Sequence, residues 1–146
     1  MGTPTRRDLL KTMLAAGAAT LLPGGAGCGG VNGPRGDIPA GNVADVPLGT
    51  LEGIAGQAVI LGRDSGGLYA MTSICTHAGC DMETSGTIDA QGALCGCHGS
   101  VFDTNGNVVQ GPARSALQHF AVSVDGAGAI TIHASQPVSE TQRTAV

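Results

Sequence analysis

Two short runs of residues in this chain concentrate ligand chemistry. They are Cys75-Thr76-His77-Ala78-Gly79-Cys80 and Cys95-Gly96-Cys97-His98-Gly99-Ser100. Each run offers one thiolate and one imidazole, spaced Cys-x-His in the first and Cys-x-x-His in the second. Four ligands of such mixed softness suit two candidates: tetrahedral zinc, or a [2Fe–2S] cluster with two imidazoles on one iron. Zinc knuckles and ribbons usually build an arm from a pair of cysteines, whereas each arm here is a Cys–His pair. Cys80 and Cys97 stand outside the set of four, one in each run. His119 and His133 lie far from both runs and read as surface or edge histidines, not ligands. No nucleophile–base pair, phosphate loop or carboxylate dyad accompanies them.

Positioning these runs requires short strands joined by tight turns. Strands are expected over residues 43–47, and over 57–62 and 67–73 around the turn Asp64-Ser65-Gly66. Further strands are expected over 87–89 and 93–94, and over 100–103 and 107–110 around Thr104-Asn105-Gly106. The Asn-Gly pair strongly favours a hairpin turn. A last hairpin joins 117–124 to 129–133 through Asp125-Gly126-Ala127-Gly128. No long helical period appears. Seventeen residues separate His77 from Cys95, room for a small hairpin that lets the two runs face each other. Leu68, Tyr69, Met71 and Phe120 are expected in the core.

The chain has 146 residues, 25 of them Gly, with no Trp, one Tyr and two Phe. A core so poor in aromatics fits one small, loop-rich β domain stapled by a metal or a disulfide. After Cys28 only Arg35, Arg63, Arg114 and Arg143 oppose ten acidic residues, a formal charge of −6. That balance argues against nucleic acid and against an anionic membrane surface as main partner. It is compatible with docking to a basic patch on a redox partner.

Residues 1–28 read as a targeting segment. Thr5-Arg6-Arg7-Asp8-Leu9-Leu10-Lys11 resembles a twin-arginine export signal, with Leu9 where phenylalanine is commonest. The Ala-rich apolar stretch over 13–22 is shorter than the roughly 20 residues of a spanning helix. Export by that route carries folded proteins, so the signal implies a cofactor inserted before export, to the periplasm or the outer face of the membrane. Gly25-Ala26-Gly27-Cys28 resembles a lipoprotein cleavage site, with Gly25 where leucine is usual. Cys28 is thus a candidate for lipidation, against ordinary cleavage nearby or an uncleaved anchor. Residues 29–42 read as a flexible tether, with a typical span of roughly 20 Å. Residues 135–146 read as a disordered tail.

Residues 43–134 resemble the Rieske [2Fe–2S] iron–sulfur proteins, in their cytochrome bc1/b6f-like branch. The resemblance implies an all-β Rieske domain, antiparallel sheets carrying a small cluster-binding subdomain. It implies that Cys75 and Cys95 ligate one iron and His77 and His98 the other, and that Cys80 and Cys97 form a disulfide between the loops. Gly111-Pro112-Ala113 is similar to a third loop that covers the cluster, and Ser100 to a serine that donates to a bridging sulfide. Two positions depart from the branch. Ala78 stands where a shielding leucine is usual, and Phe102 where high-potential members carry a tyrosine that donates to a ligand thiolate. Rieske centres span roughly −150 to +300 mV. The upper half of that range is expected here, but below the tyrosine-containing members. Oxygenase ferredoxins lack the extra cysteine pair, which counts against that class. The function implied is one-electron transfer outside the cytoplasm, as small subunit or carrier for a periplasmic or membrane oxidoreductase, with a redox protein as partner. A Rieske subunit of a quinol-oxidising complex is the alternative, and a structural zinc module the least favoured one.

Overall fold

The expected hairpins form where an aspartate can turn the chain. In the computed structural model, which describes residues 33–146, Asp64 Oδ1 accepts from the Gly66 N–H at 2.8 Å. Asp103 Oδ1 accepts from the Asn105 and Asn107 N–H groups at 2.9 and 2.8 Å. Asp125 Oδ1 accepts from Ala127 and Ala129, both at 2.9 Å. Each side chain thus satisfies turn amides that no ladder reaches. Residues 1–32, with the signal and Cys28, lie outside the described residues.

The strands are β1 (Asp37–Asn42), β2 (Leu51–Ile54), β3 (Val59–Asp64), β4 (Gly67–Thr72), β5 (Gly86–Asp89), β6 (Gly92–Cys95), β7 (Val101–Phe102), β8 (Val108–Gln110), β9 (His119–Val124) and β10 (Ala129–Val138). A single turn of helix, α1 (Met82–Ser85), precedes β5. The order β1-β10-β9-β4-β3-β2 makes a six-stranded base sheet, and β5-β6-β7-β8 a four-stranded one, all pairs antiparallel. The fold is all-β, as expected.

Both faces of β3 and β4 are buried, which explains their unbroken apolar runs. Val59, Leu61, Leu68 and Ala70 face a first core with Ile38, Phe120, Ile130 and Ile132. Ile60, Tyr69 and Met71 face a second core, between the two sheets. Met82, Phe102 and Leu117 complete it, together with Cys75 and Cys95. The two ligand-run cysteines are therefore part of the packing that joins the sheets.

Four expectations need correction. Residues 43–47 are not a strand: Asn42 Oδ1 accepts from the Ala44 N–H at 3.0 Å and opens a 3-10 turn, Val43–Asp45. The first strand lies earlier, over residues expected in the tether, because Ile38 and Ala40 alternate into the first core. Residues 135–146 are ordered. β10 runs on to Val138, and Thr144 pairs with Leu68 through two backbone hydrogen bonds of 2.9 and 2.8 Å. Arg143 holds that end in place: Nε donates to Asp64 Oδ2 at 2.6 Å, an Nη to Asn105 Oδ1 at 2.7 Å, and the guanidinium lies 4.1 Å over the Tyr69 ring. The tail thus binds the β3–β4 turn to the turn between β7 and β8.

The fourth correction concerns His119, which is 2 % exposed. Its Nδ1 lies 3.2 Å from the Leu117 carbonyl oxygen, and its Nε2 is buried without a partner. His133 is half-buried on the base sheet, with Nδ1 2.7 Å from Asp37 Oδ1 and Nε2 2.8 Å from Ser123 Oγ. Burial pushes the His119 imidazole below its ordinary value of 6.5. The folded chain therefore holds it neutral where the unfolded chain protonates it, so stability is lost as pH falls below about 6.5. Thermal melting at pH 8 and pH 5 should show a smaller drop for His119→Phe than for the unaltered protein; an equal drop would contradict this.

Candidate metal centre

The two ligand runs fold into the same frame. In the first, the Cys75 N–H donates to the Cys80 carbonyl at 2.8 Å and the Gly79 N–H to the Cys75 carbonyl at 2.9 Å. In the second, Cys95 donates to Ser100 at 2.8 Å and Gly99 to Cys95 at 2.9 Å. Each loop is thus closed on the backbone of its own leading cysteine. Closure needs a left-handed residue at the fifth place, and Gly79 and Gly99 supply it with φ of 77° and 80°. A Cβ at either would meet nothing, so the requirement is conformational, costing a non-glycine residue roughly 1–2 kcal/mol.

Neighbouring elements hold the loops side by side. The first leaves β4 and ends at α1, where Asp81 accepts from the Ser73 hydroxyl at 2.5 Å and caps α1 by accepting from the Glu83 N–H at 3.0 Å. The second joins β6 to β7, and its Gly96 N–H donates to the Ser85 carbonyl at 2.7 Å, at the end of α1. A third loop, 111–117, lies against both. Its Ala113 N–H donates to Ser100 Oγ at 2.9 Å, and the Thr76 hydroxyl donates to the Ser115 carbonyl at 2.6 Å. Gln110 Nε2 donates to the Gly99 carbonyl at 3.0 Å, and the Gly111–Pro112 peptide is cis. Of these staples, Thr76, Gln110 and Asp81 escaped the sequence reading. Their only signal there is a polar side chain flanking a ligand run.

The four candidate ligands divide by burial. Cys75 and Cys95 are 2 % and 0 % exposed, and their thiols are in hydrogen-bond contact. His77 and His98 are exposed, with ring centroids 4.8 Å apart and planes at 80°. Sulfur lies inside and nitrogen outside. Burial pushes the Cys95 thiol up, and the contact with Cys75 adds to this; the Cys97 and His98 backbone amides, donating to the sulfur, pull it down. Those two amides are donors suited to a thiolate, the form a metal requires.

Cys80 and Cys97 form a disulfide that bridges the two loops. Their sulfurs and that of Cys95 lie within 4.8 Å of one another. Being oxidised, the pair offers no thiolate to a metal, and it acts instead as a clamp beside Cys95. Ser100 is fully buried. Its oxygen accepts from Ala113, and its proton finds no acceptor among the described residues. A proton left over in a buried site fits an acceptor such as a cluster sulfide. Phe102 is fully buried in the second core and Ala78 is exposed at the tip.

Comparison with known proteins agrees with this geometry. The family model of the Rieske [2Fe–2S] domain matches residues 37–121, and that of the twin-arginine translocation pathway signal sequence matches residues 3–23. The cytochrome b6-f complex iron-sulfur subunit of Synechococcus sp. (strain CC9605) is 39 % identical over 75 residues, covering 51 % of this chain and 41 % of that protein. That of Prochlorococcus marinus (strain MIT 9515) is 44 % identical over 59 residues, 40 % of this chain and 32 % of that protein. The chain therefore spans well under half the length of these curated relatives. Among solved structures, the cyanobacterial plasma membrane Rieske protein from Synechocystis PCC 6803 is 28 % identical with a TM-score of 0.52, covering 66 % of this chain and 99 % of that one. A chain from the complex of oxygenase and ferredoxin in carbazole 1,9a-dioxygenase, 24 % identical with a TM-score of 0.52, covers 72 % of this chain and 98 % of that one, a likeness of fold alone. The N-terminal match marks the protein for export across the membrane. The chain belongs to the Rieske [2Fe–2S] domain family, and a [2Fe–2S] cluster is its cofactor.

Proposed function

We propose that Cys75 and Cys95 hold one iron and His77 and His98 the other, and that the chain passes single electrons to or from a redox protein outside the cytoplasm. The division of burial supports this: two sulfurs in the core, two imidazoles edge to face at the surface. Bound there, the cluster supplies a one-electron couple. The imidazoles at the tip bring that couple within reach of a partner, and they can release a proton when the site is oxidised. The disulfide and the third loop keep the site rigid, so little reorganises on electron transfer. Ser100 supplies one hydrogen bond toward sulfur. Phe102 supplies none, which leaves the reduced, more negative state less stabilised.

We assign the protein to the outer face of the membrane or the periplasm, as carrier or small subunit of an oxidoreductase, with Cys28 as a lipid attachment point. Mass spectrometry of the mature N-terminus tests the lipid: an unmodified residue there removes it. The cytochrome b6-f subunits among the relatives support a second reading, a subunit of a quinol-oxidising complex. Membranes lacking the protein decide between the two, since unchanged quinol oxidation rejects the second.

Spin-resonance potentiometry at stepped pH tests the chemistry. The potential should fall at alkaline pH, by about 59 mV per pH unit for each proton coupled to the electron. A flat potential would sink the coupling. Phe102→Tyr adds a donor worth about 1 kcal/mol, so the potential should rise by about 40 mV; a fall would contradict the role given to residue 102. Replacing Cys80 and Cys97 together by Ala should cost about 2–4 kcal/mol, read by urea unfolding of the cluster-loaded protein. Unchanged stability would remove the clamp from the account.

A further inference from the structure

The domain is acidic, yet the surface around the two imidazoles is not. The three loops at that end, 75–80, 95–100 and 111–117, contain no carboxylate and one cation, Arg114. The other described residues hold three arginines and ten carboxylates, a formal charge of −7. The carboxylates next to the loops in sequence are turned to internal use. Asp81 accepts from Ser73 and Glu83, Glu83 from the Gly56 N–H at 3.1 Å, and Asp103 from Asn105 and Asn107. Arg63 is spent on the Val43 and Val46 carbonyls, at 3.2 and 2.7 Å, and Arg143 on Asp64. Arg114 is exposed and makes no hydrogen bond or ion pair among the described residues. It lines a shallow groove with Thr76, His77, Pro112 and Ser115.

We propose that this tip is the docking surface for a redox protein that presents carboxylates, with the Arg114 guanidinium as the anchor beside His77. It rests on the reading that His77 and His98 carry the electron path. A basic partner would be drawn to the acidic body, leaving the imidazoles unfaced. An acidic partner is repelled by the body and attracted at one place, which turns the tip toward it before contact. Guanidinium then gives a carboxylate two parallel hydrogen bonds, fixing the orientation beside the imidazole. The net charge alone suggests a basic patch as partner; the distribution of that charge reverses the suggestion.

Two small oxidants of opposite charge serve as probes of the tip of the reduced, cluster-loaded protein: hexacyanoferrate(III), a trianion, and tris(phenanthroline)cobalt(III), a trication. Arg114→Ala should slow the anion by about three- to tenfold at low ionic strength and speed the cation. Ala127→Glu, the same one-unit change in the exposed β9–β10 turn at the end of β9 opposite the third loop, should alter either rate by less than about twofold. Arg114→Lys should keep the unaltered rates, and high salt should erase the differences. Equal effects of Arg114→Ala and Ala127→Glu, or none from either, would overturn the docking proposal while leaving the electron-transfer reading intact. An unaltered protein with no reduced-state spin-resonance signal would instead defeat that reading, and the docking proposal with it.

Discussion

Two backbone hydrogen bonds, repeated in each ligand loop, are the constraint on which the site depends. They close six residues on the leading cysteine, so that sulfur points into the packing between the sheets while the residues two and three places on emerge at the surface. In the first loop the second place after the cysteine is His77; in the second loop it is Cys97, and His98 follows. One frame thus presents an imidazole from each loop and leaves one further cysteine on each side for the disulfide. The glycine at the fifth place is what the frame demands of the sequence.

This arrangement also explains how a chain with so few aromatics holds together. The second core includes Ile60, Tyr69, Met71, Met82, Phe102, Leu117 and the two buried cysteines. Packing the base sheet against the smaller sheet and forming the sulfur side of the site are therefore the same act. Metal binding and folding are coupled wherever the ligands are part of the core. The disulfide, the capped turn α1 and the third loop add restraints where apolar area is short. Arg143, reaching from the C-terminal end to Asp64 and Asn105, adds one more between the base and the smaller sheet.

Much of this was legible in the residues, and the reasons are physical. β3, β4 and β9 announce themselves as apolar runs bounded by Asp- and Gly-containing turns, because local turn chemistry and burial act together there. The ligand runs are legible because Cys–His spacing within six residues has few other uses. β1 was missed because its proline and glycine mimic a linker, and its pairing with β10 is far away in sequence. β2, Leu-Glu-Gly-Ile, is short and holds a glycine. The ordered tail depends on an ion pair between residues 79 apart, which no local pattern encodes. His119 was misplaced because its alternation in β9 says which face it takes, but not that this face is covered. Ser100 and Ala113 carry no local sign that a hydroxyl in one loop receives the amide of another.

The central claim is that two imidazoles, His77 and His98, and two buried thiolates complete one centre. Pulsed spin resonance on the reduced protein, with nitrogen-15 in its histidines, tests it most directly. The account predicts couplings from two distinct directly bound imidazole nitrogens, one of which is lost in each of His77→Ala and His98→Ala that still retains iron. A spectrum with one bound nitrogen or none in the unaltered protein would contradict it.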